Sequence, residues 1–394
     1  MIYEREFEVG YAKKILTKKL NKLNIEYSMK NKKSINGKAN ICEIKDKYTN
    51  EYISVGKGLS IECEVGALAE AIEHHYFENY NPNAINVDTD EIIKINKNVL
   101  KEIPFKLLVK CKYKNISSIV FEDDMKNVLF YPKCFVFPTT ENMTSYKLQC
   151  LIKKYISNNG MSVGVTLTES KIHSINELVE RHALSIHIIN MFFTKRGKAF
   201  LFKKESFPKY IIELIHDIEE TIGSNILILD ISVFENFPVI LAVATPKENN
   251  GLNFLVPIWG SGCSLSIEYA ITRALTELYQ CFEVYDLEDY YQDKQKIINF
   301  KQLNEYYNTV NFKYKENMLN IKKYKENCNV PIECKNILKK QIELLNLNGY
   351  IPYYHIIDNQ DIYCIKTIIP GFQSFHKILH GNLIVPNEVE NGNY

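Results

Sequence analysis

The amino-acid sequence predicts an α+β fold in which helices pack against mixed sheets. Alternating runs rich in β-branched and aromatic residues predict strands within residues 100–136 and again within 225–258. Three stretches with helical periodicity each follow a glycine-bearing segment, and a Lys-, Asn- and Tyr-rich stretch over 285–345 is also predicted to be helical. Because no low-complexity linker or short-period repeat interrupts the chain, one domain with local insertions fits better than two independent domains.

The predicted elements follow one another in a simple order. Residues 1–50 form an N-terminal segment in which short apolar pieces alternate with Lys- and Asn-rich turns, which favours a small helix and strands. Residues 51–386 form the main domain, with 285–345 as a helical insertion, and residues 387–394 form a tail. The strand candidates are FKLLVKCKY, SSIVF, VLFYPKCFVF, NILILDIS, PVILAVATP and NFLVPIW, and a closing hairpin is predicted from IPYYHIID and DIYCIKTIIP.

Composition excludes several classes of protein. The chain has 394 residues, 46% hydrophobic and 24% charged, so it can bury a core and is neither a peptide hormone nor a coiled-coil adaptor. A formal net charge of +1 gives no overall field that would attract nucleic acid or an anionic membrane. No apolar run is long enough to span a bilayer, and the first residues lack the apolar core of a signal peptide, so we expect a cytoplasmic protein.

Arginine is rare in this chain. Of the 48 basic residues only four are arginine, at positions 5, 181, 196 and 273. Lysine is a point charge on a flexible stem, whereas a guanidinium group binds carboxylate or phosphate through two parallel hydrogen bonds. The arginines that remain therefore indicate places where this geometry is needed, and Arg181 and Arg273 lie in motifs that other features also select.

Glycine-bearing segments precede the three predicted helices. They are Gly56–Gly58, residues 157–160 and Gly260–Gly262, and we interpret them as turns. Glycine permits positive φ angles and lets a ligand approach the backbone N–H groups, so each turn could meet a phosphate at a helix start. A glycine turn alone is weak support for this, because most such turns only reverse the chain.

The second helix carries a stripe of carboxylates. At 100° per residue, Glu169, His173, Glu177 and Glu180 fall within about 80° of one another, opposite the apolar face. Such a stripe is usually a solvated face. Here it contains no lysine, and Arg181 at its edge is its one neutralising residue, which favours a bound cation. Mg²⁺ prefers one or two carboxylates together with phosphate oxygens.

The first and third helices carry similar groups. Glu70 and Glu73 lie one turn apart on the first helix, next to small residues that leave room for a ligand. Arg273, Glu277 and Gln280 fall within about 60° on the third helix, which alone would be an ordinary i,i+4 ion pair. Three such helices together favour a composite acidic site for a metal–nucleotide complex.

These motifs resemble those of the YcaO family, ATP-dependent enzymes that activate backbone amides of peptides. The matching pieces are GKGLSIECEVGALAEAIEH, SNNGMSVGVTLTESKIHSINELVERHA and GSGCSLSIEYAITRALTELYQ, with a looser match in IKTIIPGFQSFH. The resemblance covers roughly residues 50–285. It implies a YcaO-type fold, with mixed sheets and packed helices around an acidic nucleotide cleft, and identifies residues 51–386 as the catalytic domain.

The resemblance also implies ATP and Mg²⁺ as cofactors and assigns residues to each. The implied ATP contacts are Glu70, Ser162, Arg181, Arg273 and Gln280. The implied Mg²⁺ ligands are Glu73, Glu169, Glu177, Glu180 and Glu277. No residue is assigned as the catalytic acid or base, and His173 is interpreted as structural because its position alone does not support such a role.

The implied reaction begins when a nucleophile adds to a backbone carbonyl and the resulting oxyanion takes the γ-phosphoryl group of ATP. A Cys, Ser or Thr nucleophile of a ribosomally made precursor peptide, such as a bacteriocin precursor, would give an azoline, which is the reaction we favour. Sulfide delivered by a partner would give a thioamide, and an N-terminal amine would give an amidine. An alternative of another class is a catalytically silent subunit that docks a peptide.

Departures from the family pattern bear on the choice between these reactions and the silent docking role. His74 stands where the family usually has arginine, Val165 stands where asparagine is common, and Pro386 stands alone in place of the proline-rich tail of many azoline-forming members. No fused E1-like domain is present, which implies a separate leader-binding partner, E1-like or TfuA-like, and a flavin dehydrogenase is a further candidate partner. The implied assembly is a homodimer or part of a hetero-complex, without nucleic acid or membrane.

Overall fold

Helices and strands are interspersed along the chain, as predicted for an α+β fold. The computed structural model describes residues 3–138, 146–195, 197, 199–244, 254–312, 314, 318–327 and 330–387. The helices α1–α12 are Val9–Lys22, Glu62–Asn79, Thr89–Ile95, Ile103–Lys110, Lys133–Val136, Tyr146–Lys153, Leu167–Ile188, Lys209–Ile222, Ile267–Val284, Leu287–Phe300, Asn304–Val310 and Cys334–Leu347. The strands β1–β14 are Tyr27–Lys33, Asn40–Asp46, Tyr52–Gly58, Ile85–Asp88, Asn115–Glu122, Val128–Pro132, Met161–Gly164, Ala199–Phe202, Ile226–Asp230, Val239–Ala244, Ile258–Cys263, Leu319–Lys322, Tyr353–Asp358 and Tyr363–Ile368. Arg196 and residues 388–394 of the predicted tail lie outside the described residues.

The strands in the described ranges form three sheets. The first has the order β1-β2-β3 and is antiparallel. The second has the order β11-β10-β9-β8-β12 and is antiparallel except for the β8–β12 pair. The third has the order β4-β5-β13-β14-β7, with β6 also paired to β5. Each of the three predicted motifs thus includes residues of a strand from a different sheet, namely β3, β7 and β11.

Three apolar clusters hold the helices on these sheets. One surrounds α7 and includes Ile172, Ile175 and Val179, all fully buried. A second joins α1 and α2 to the third sheet, and the last joins α8 and α9 to the second sheet. The apolar face of each motif helix is therefore committed to the core, which leaves its polar stripe to face the space between the helices.

Two of the three glycine segments are strands rather than turns, so that interpretation was wrong for them. Gly56 lies in β3, and a Cβ atom there would lie 1.9 Å from the carbonyl oxygen of Cys63. Gly260 lies in β11, and a Cβ atom there would lie 2.2 Å from the backbone nitrogen of Leu278. At both places glycine lets the following helix pack directly on its strand. Gly160 is the turn residue of the three segments, with a φ of +79°.

The strand predictions are confirmed only in part. SSIVF and the first five residues of VLFYPKCFVF lie in β5 and β6, NILILDIS and PVILAVATP lie largely in β9 and β10, and β13 and β14 form the predicted antiparallel hairpin. The second half of VLFYPKCFVF was wrongly predicted to be a strand, because Lys133–Val136 form helix α5. Of the described residues of NFLVPIW, only Ile258 and Trp259 lie in a strand, β11. FKLLVKCKY was predicted to be a strand, but most of it belongs to helix α4, where Phe105 and Leu108 are buried at helical spacing. The 285–345 stretch is mostly helical but also contains β12, which pairs in parallel with β8.

The proposed domain boundary at residue 50 falls between two paired strands. β2 and β3 pair in antiparallel register on either side of it, so the N-terminal segment and the start of the main domain share a sheet. The division of the chain stays a prediction. Among the described helices, none combines the length and apolar character that crossing a bilayer requires.

Candidate active site

The three motif helices meet at a cavity of about 330 Å³, which we call the site cavity. Most of its lining comes from β3, α2, β7, α7 and α9, the elements of the three predicted motifs. Nine of the ten residues that the sequence assigned to ATP or Mg²⁺ line it: Glu70, Glu73, Ser162, Glu177, Glu180, Arg181, Arg273, Glu277 and Gln280. The structure thus brings together side chains from Glu70 to Gln280, which are far apart in the sequence.

Local features fix how the helices present these side chains. Thr166 caps α7, its hydroxyl oxygen accepting from the backbone N–H of Glu169 at 3.1 Å. Ser266 caps α9 in the same way, accepting from the N–H of Tyr269 at 3.4 Å. Both helices begin two to four residues after their strands, so their polar stripes start close to the strand ends and face the same cavity.

A network of charged groups joins α7, α9 and β3. The Ser261 hydroxyl donates to Glu180 Oε1 at 2.7 Å. The guanidinium group of Arg181 lies 3.4 Å from Glu180 Oε1 and 3.5 Å from Glu277 Oε1, and Lys57 Nζ lies 2.6 Å from Glu277 Oε2. Burial acts to raise the pKa of Glu277, but Lys57 and Arg181 outweigh it and hold that pKa below its ordinary value. Glu277 is therefore ionised at neutral pH.

Three further carboxylates of the site cavity, those of Glu70, Glu73 and Glu177, have no lysine or arginine paired with them among the described residues. Glu73 accepts the backbone N–H of Val163 at 2.8 Å, and Glu177 accepts that of Gly160 at 2.9 Å. Burial raises the pKa of Glu70, Glu73 and Glu177, and for Glu73 the neighbouring Glu177 carboxylate raises it further. A divalent cation would remove this repulsion and favour the ionised forms.

The donor set fits a metal ion that is completed by a polyphosphate. No group of three or more His, Cys, Asp or Glu side chains in the described residues is arranged to hold a metal ion by itself. Mg²⁺ does not need such a group, because it usually takes one or two carboxylates and fills its octahedron with phosphate oxygens and water. Arg273 also fits an anionic ligand, since its Nε is buried without a hydrogen-bond partner.

Glu169 is the one predicted site residue that does not line the site cavity. It is 1% exposed, and its two carboxylate oxygens accept backbone N–H groups from Val165 at 3.0 Å and from Glu6 at 2.6 Å. The structure thus places Glu169 outside the cavity that its predicted role as a Mg²⁺ ligand requires. Its carboxylate instead fixes the first turn of α7 and the segment around Glu6.

Two cationic residues of the site cavity were missed by the sequence reasoning. Lys57 lies between the two glycines of the first motif and pairs with Glu277, as described above. Arg5 reaches the cavity from the N-terminal segment. The scarcity of arginine in the chain was a signal that could have identified Arg5, whereas Lys57 had no such distinction among the many lysines.

The two departures from the family pattern lie beside the cavity rather than in its lining. The Nδ1 atom of His74 is hydrogen-bonded to the carbonyl oxygen of Ile53 at 2.8 Å, and its Nε2 atom lies 3.6 Å from Oε1 of Glu70. Val165 packs against the apolar cluster of the third sheet. His173 does line the cavity, with its Nδ1 3.9 Å from a carboxylate oxygen of Glu4, and burial holds its pKa well below the ordinary value. It is therefore neutral.

The comparison with protein families decides the identity of the fold. A sequence model described as YcaO cyclodehydratase, ATP- and Mg²⁺-binding, matches residues 136–373. The chain belongs to the YcaO family. ATP and Mg²⁺ are therefore its cofactors, as the motifs implied. Among curated proteins, no sequence matches the chain at a significant level.

Solved YcaO-type structures share this fold. The YcaO protein of Methanopyrus kandleri, bound with AMPPCP and Mg²⁺, matches with a TM-score of 0.67 and 17% identity over 99% of this chain and 98% of that one. A heterocyclase in complex with substrate and cofactor matches with a TM-score of 0.69 and 13% identity over 94% of this chain and 53% of that one. The E. coli microcin synthetase McbBCD complex with pro-MccB17 bound matches with a TM-score of 0.59 and 16% identity over 88% of each chain.

Proposed function

We propose that this YcaO protein phosphorylates a backbone amide oxygen of a ribosomally made precursor peptide and converts Cys, Ser or Thr residues of that peptide to azolines. The observation that carries this proposal is the site cavity itself. Its lining combines six glutamate carboxylates with four lysine or arginine side chains, the donor set that a metal–triphosphate complex requires. The family description, ATP and Mg²⁺ binding, supports the same ligand.

The residues divide into two sets by their chemistry. Contacts to ATP are proposed for Glu70, Ser162, Arg181, Arg273 and Gln280. Magnesium ligands are proposed among Glu73, Glu177, Glu180 and Glu277, each supplying one carboxylate toward a metal that the phosphate oxygens complete. When bound, Mg-ATP supplies the phosphoryl group that makes the amide oxygen a leaving group.

The protein's own residues position the ligand and hold the charges of the site cavity in place. Lys57 and Arg181 keep Glu277 ionised, and the Ser261 hydroxyl fixes the orientation of Glu180. The fold itself holds these groups in place, because they lie on four different elements, β3, α7, α9 and β11. Preorganised charge of this kind is the main way in which an enzyme promotes phosphoryl transfer.

Partners are part of the proposal. One structural neighbour is a heterocyclase in complex with its substrate, and another is a microcin synthetase complex with pro-MccB17 bound. By analogy we propose that this chain acts on a precursor peptide together with a separate leader-binding protein, E1-like or TfuA-like. A thioamide or amidine product, and a silent docking role, are the alternatives that the test below separates.

The test is the intact mass of a candidate precursor peptide after incubation with the chain, Mg-ATP and the candidate partner. Loss of water together with conversion of a Cys, Ser or Thr residue supports the azoline proposal. Exchange of oxygen for sulfur, or loss of water at an N-terminal amine, would replace it with the thioamide or amidine. An unchanged mass with every peptide and partner, despite ATP binding, would instead indicate the docking subunit. Glu180→Gln, with its fold checked by circular dichroism, is the control that should leave the peptide unmodified.

A further inference from the structure

A short segment of the chain, residues 3–7, is fastened against the site cavity at two points. The Glu4 side chain is 1% exposed, and its Oε1 accepts the Ser264 hydroxyl at 2.6 Å just before α9 begins. Two residues later, the backbone N–H of Glu6 donates to Glu169 at the start of α7 at 2.6 Å. Arg5 lies between these two anchors and lines the cavity. Its backbone position is therefore fixed by contacts to both motif helices.

Arg5 and Arg273 differ from the other cations of the site cavity. Lys57 and Arg181 are paired with carboxylates, as described above. Within the described residues, the side chains of Arg5 and Arg273 make no hydrogen bond or ion pair, and the Nε of Arg273 is buried without a partner. A buried donor without a partner is costly unless a ligand supplies the acceptor.

The buried Glu4 carboxylate lies within the field of both arginines. Burial raises the pKa of Glu4, and the charges of Arg273 and Arg5 both oppose that rise. Glu62 also lines the cavity, and there the charge of Arg5 opposes the rise in pKa that burial causes. Because no carboxylate pairs with Arg5 directly, its hydrogen-bonding fork remains open for a ligand.

The residue type points to the chemistry of that ligand. This chain uses lysine at almost every basic position, yet three of its four arginines line this one cavity. A guanidinium fork offers two parallel hydrogen bonds to the oxygens of a phosphate or carboxylate group, which lysine cannot do. Of these two anions, phosphate is the one that the surrounding carboxylate and metal-binding chemistry accommodates.

We propose that Arg5 adds a second guanidinium group to the ATP contact already proposed for Arg273, so that the two form a clamp on the phosphate oxygens, with the Glu4–Ser264 hydrogen bond positioning Arg5 over the cavity. This rests on the proposed function in so far as the ligand is Mg-ATP. It goes beyond the three family motifs, because Arg5 comes from a segment that lies before all of them.

Calorimetric titration with Mg-ATP tests the clamp in the full chain. We expect Arg5→Ala to weaken binding roughly ten- to a hundred-fold, which corresponds to the loss of charge-assisted hydrogen bonds to an anion. Arg5→Lys should fall between the wild type and Arg5→Ala, since it keeps the charge and loses the fork. Lys209→Ala is the matched control, because it removes one positive charge from a side chain that is 91% exposed on α8 and should bind as the wild type does.

Thermal unfolding without nucleotide shows whether the variants are folded. Because Arg5 has no partner among the described residues, Arg5→Ala should melt within a degree or two of the wild type and should lose most of the stabilisation that Mg-ATP adds. If Arg5→Ala does not fold, the comparison of Arg5→Lys with the wild type decides. Equal affinities of wild type, Arg5→Lys and Lys209→Ala would overturn the clamp and leave ATP binding intact. A wild type that binds no Mg-ATP would overturn the proposed function and the clamp together.

Discussion

Arg181 lines two cavities, and a buried glutamate in one of them, Glu277, has a different charge state from a buried glutamate in the other, Glu102. In the site cavity, Glu277 is ionised because Lys57 and Arg181 lie beside it. On the other side of Arg181 is a second cavity of about 130 Å³, which contains Glu102 and Lys366. Glu102 accepts the Tyr131 hydroxyl and, at 2.9 Å, the backbone N–H of Gly371, and Lys366 donates to two backbone carbonyls.

The second cavity offers these groups hydrogen bonds without a directly paired opposite charge. Burial raises the pKa of Glu102 to about 7 and lowers that of Lys366 to about 7. A buried glutamate therefore acts as a charge where cations contact it, and as a largely neutral hydrogen-bonding group where they do not.

The same substitution made in each cavity gives the largest contrast. Glu180→Gln should weaken Mg-ATP binding by at least about a hundred-fold, because it removes a buried charge that is hydrogen-bonded to Ser261 and lies beside Arg181. Glu102→Gln, an identical change beyond Arg181, should bind Mg-ATP within about two-fold of the wild type, since Gln keeps the neutral hydrogen-bonding character. Calorimetry on both variants measures this, with circular dichroism to confirm that each is folded. Equal losses in the two variants would remove the distinction between the cavities.

Much of the site could be predicted because it depends on local periodicity. The spacing of 100° per residue placed Glu177 and Glu180 on one stripe of α7, and Arg273, Glu277 and Gln280 on one stripe of α9, and the structure brings both stripes to one cavity. The apolar faces of the same helices could be predicted from the sequence in the same way. The fold class followed from the alternation of these helices with β-rich stretches.

What could not be predicted depends on distance along a helix or across the chain. Glu169 shares the stripe of Glu177 but lies eight residues earlier, about 12 Å along the axis, so the two share a face without sharing a cavity. Gly56 and Gly260 resembled turn residues because a turn and a close strand–helix contact both require the absence of a Cβ atom. Arg5 reaches the site only through tertiary packing, which periodicity does not describe.

The pH dependence of stability gives the second contrast. The folded protein holds the proton of Glu102 up to about pH 7, whereas an ordinary glutamate releases it near pH 4.5. In that window the folded state binds more protons than the unfolded state, so the stability that Glu102 contributes is fully present below pH 4.5 and is lost as the pH rises through 7. The loss amounts to about 3 kcal/mol.

Glu102→Gln should remove this slope. Urea unfolding of wild type and variant between pH 4.5 and 8 measures it, and the difference between their two curves cancels the contribution of the other buried carboxylates. The wild type should lose stability relative to the variant as the pH rises. Parallel curves would mean that Glu102 is ionised in the folded state, and the second cavity would then resemble the site cavity.

Glu169→Gln should weaken binding far less than Glu180→Gln, and Glu169 shows how a third environment acts on the same residue type. Its carboxylate is held by the backbone N–H groups of Val165 and Glu6, with no cation paired to it in the described residues. Glu169→Gln keeps one acceptor oxygen and places an amide NH₂ against the other N–H, so we expect it to lower the free energy of unfolding by about 1–3 kcal/mol. Mg-ATP affinity should fall less than in Arg5→Ala, because only the anchor of residues 3–7 is loosened.

Urea unfolding and calorimetry measure the two effects, and Glu177→Gln serves as the matched variant from inside the cavity. If Glu169→Gln abolished Mg-ATP binding as Glu180→Gln is expected to do, Glu169 would be the metal ligand that its stripe predicted, and its backbone hydrogen bonds would have to give way when the nucleotide binds.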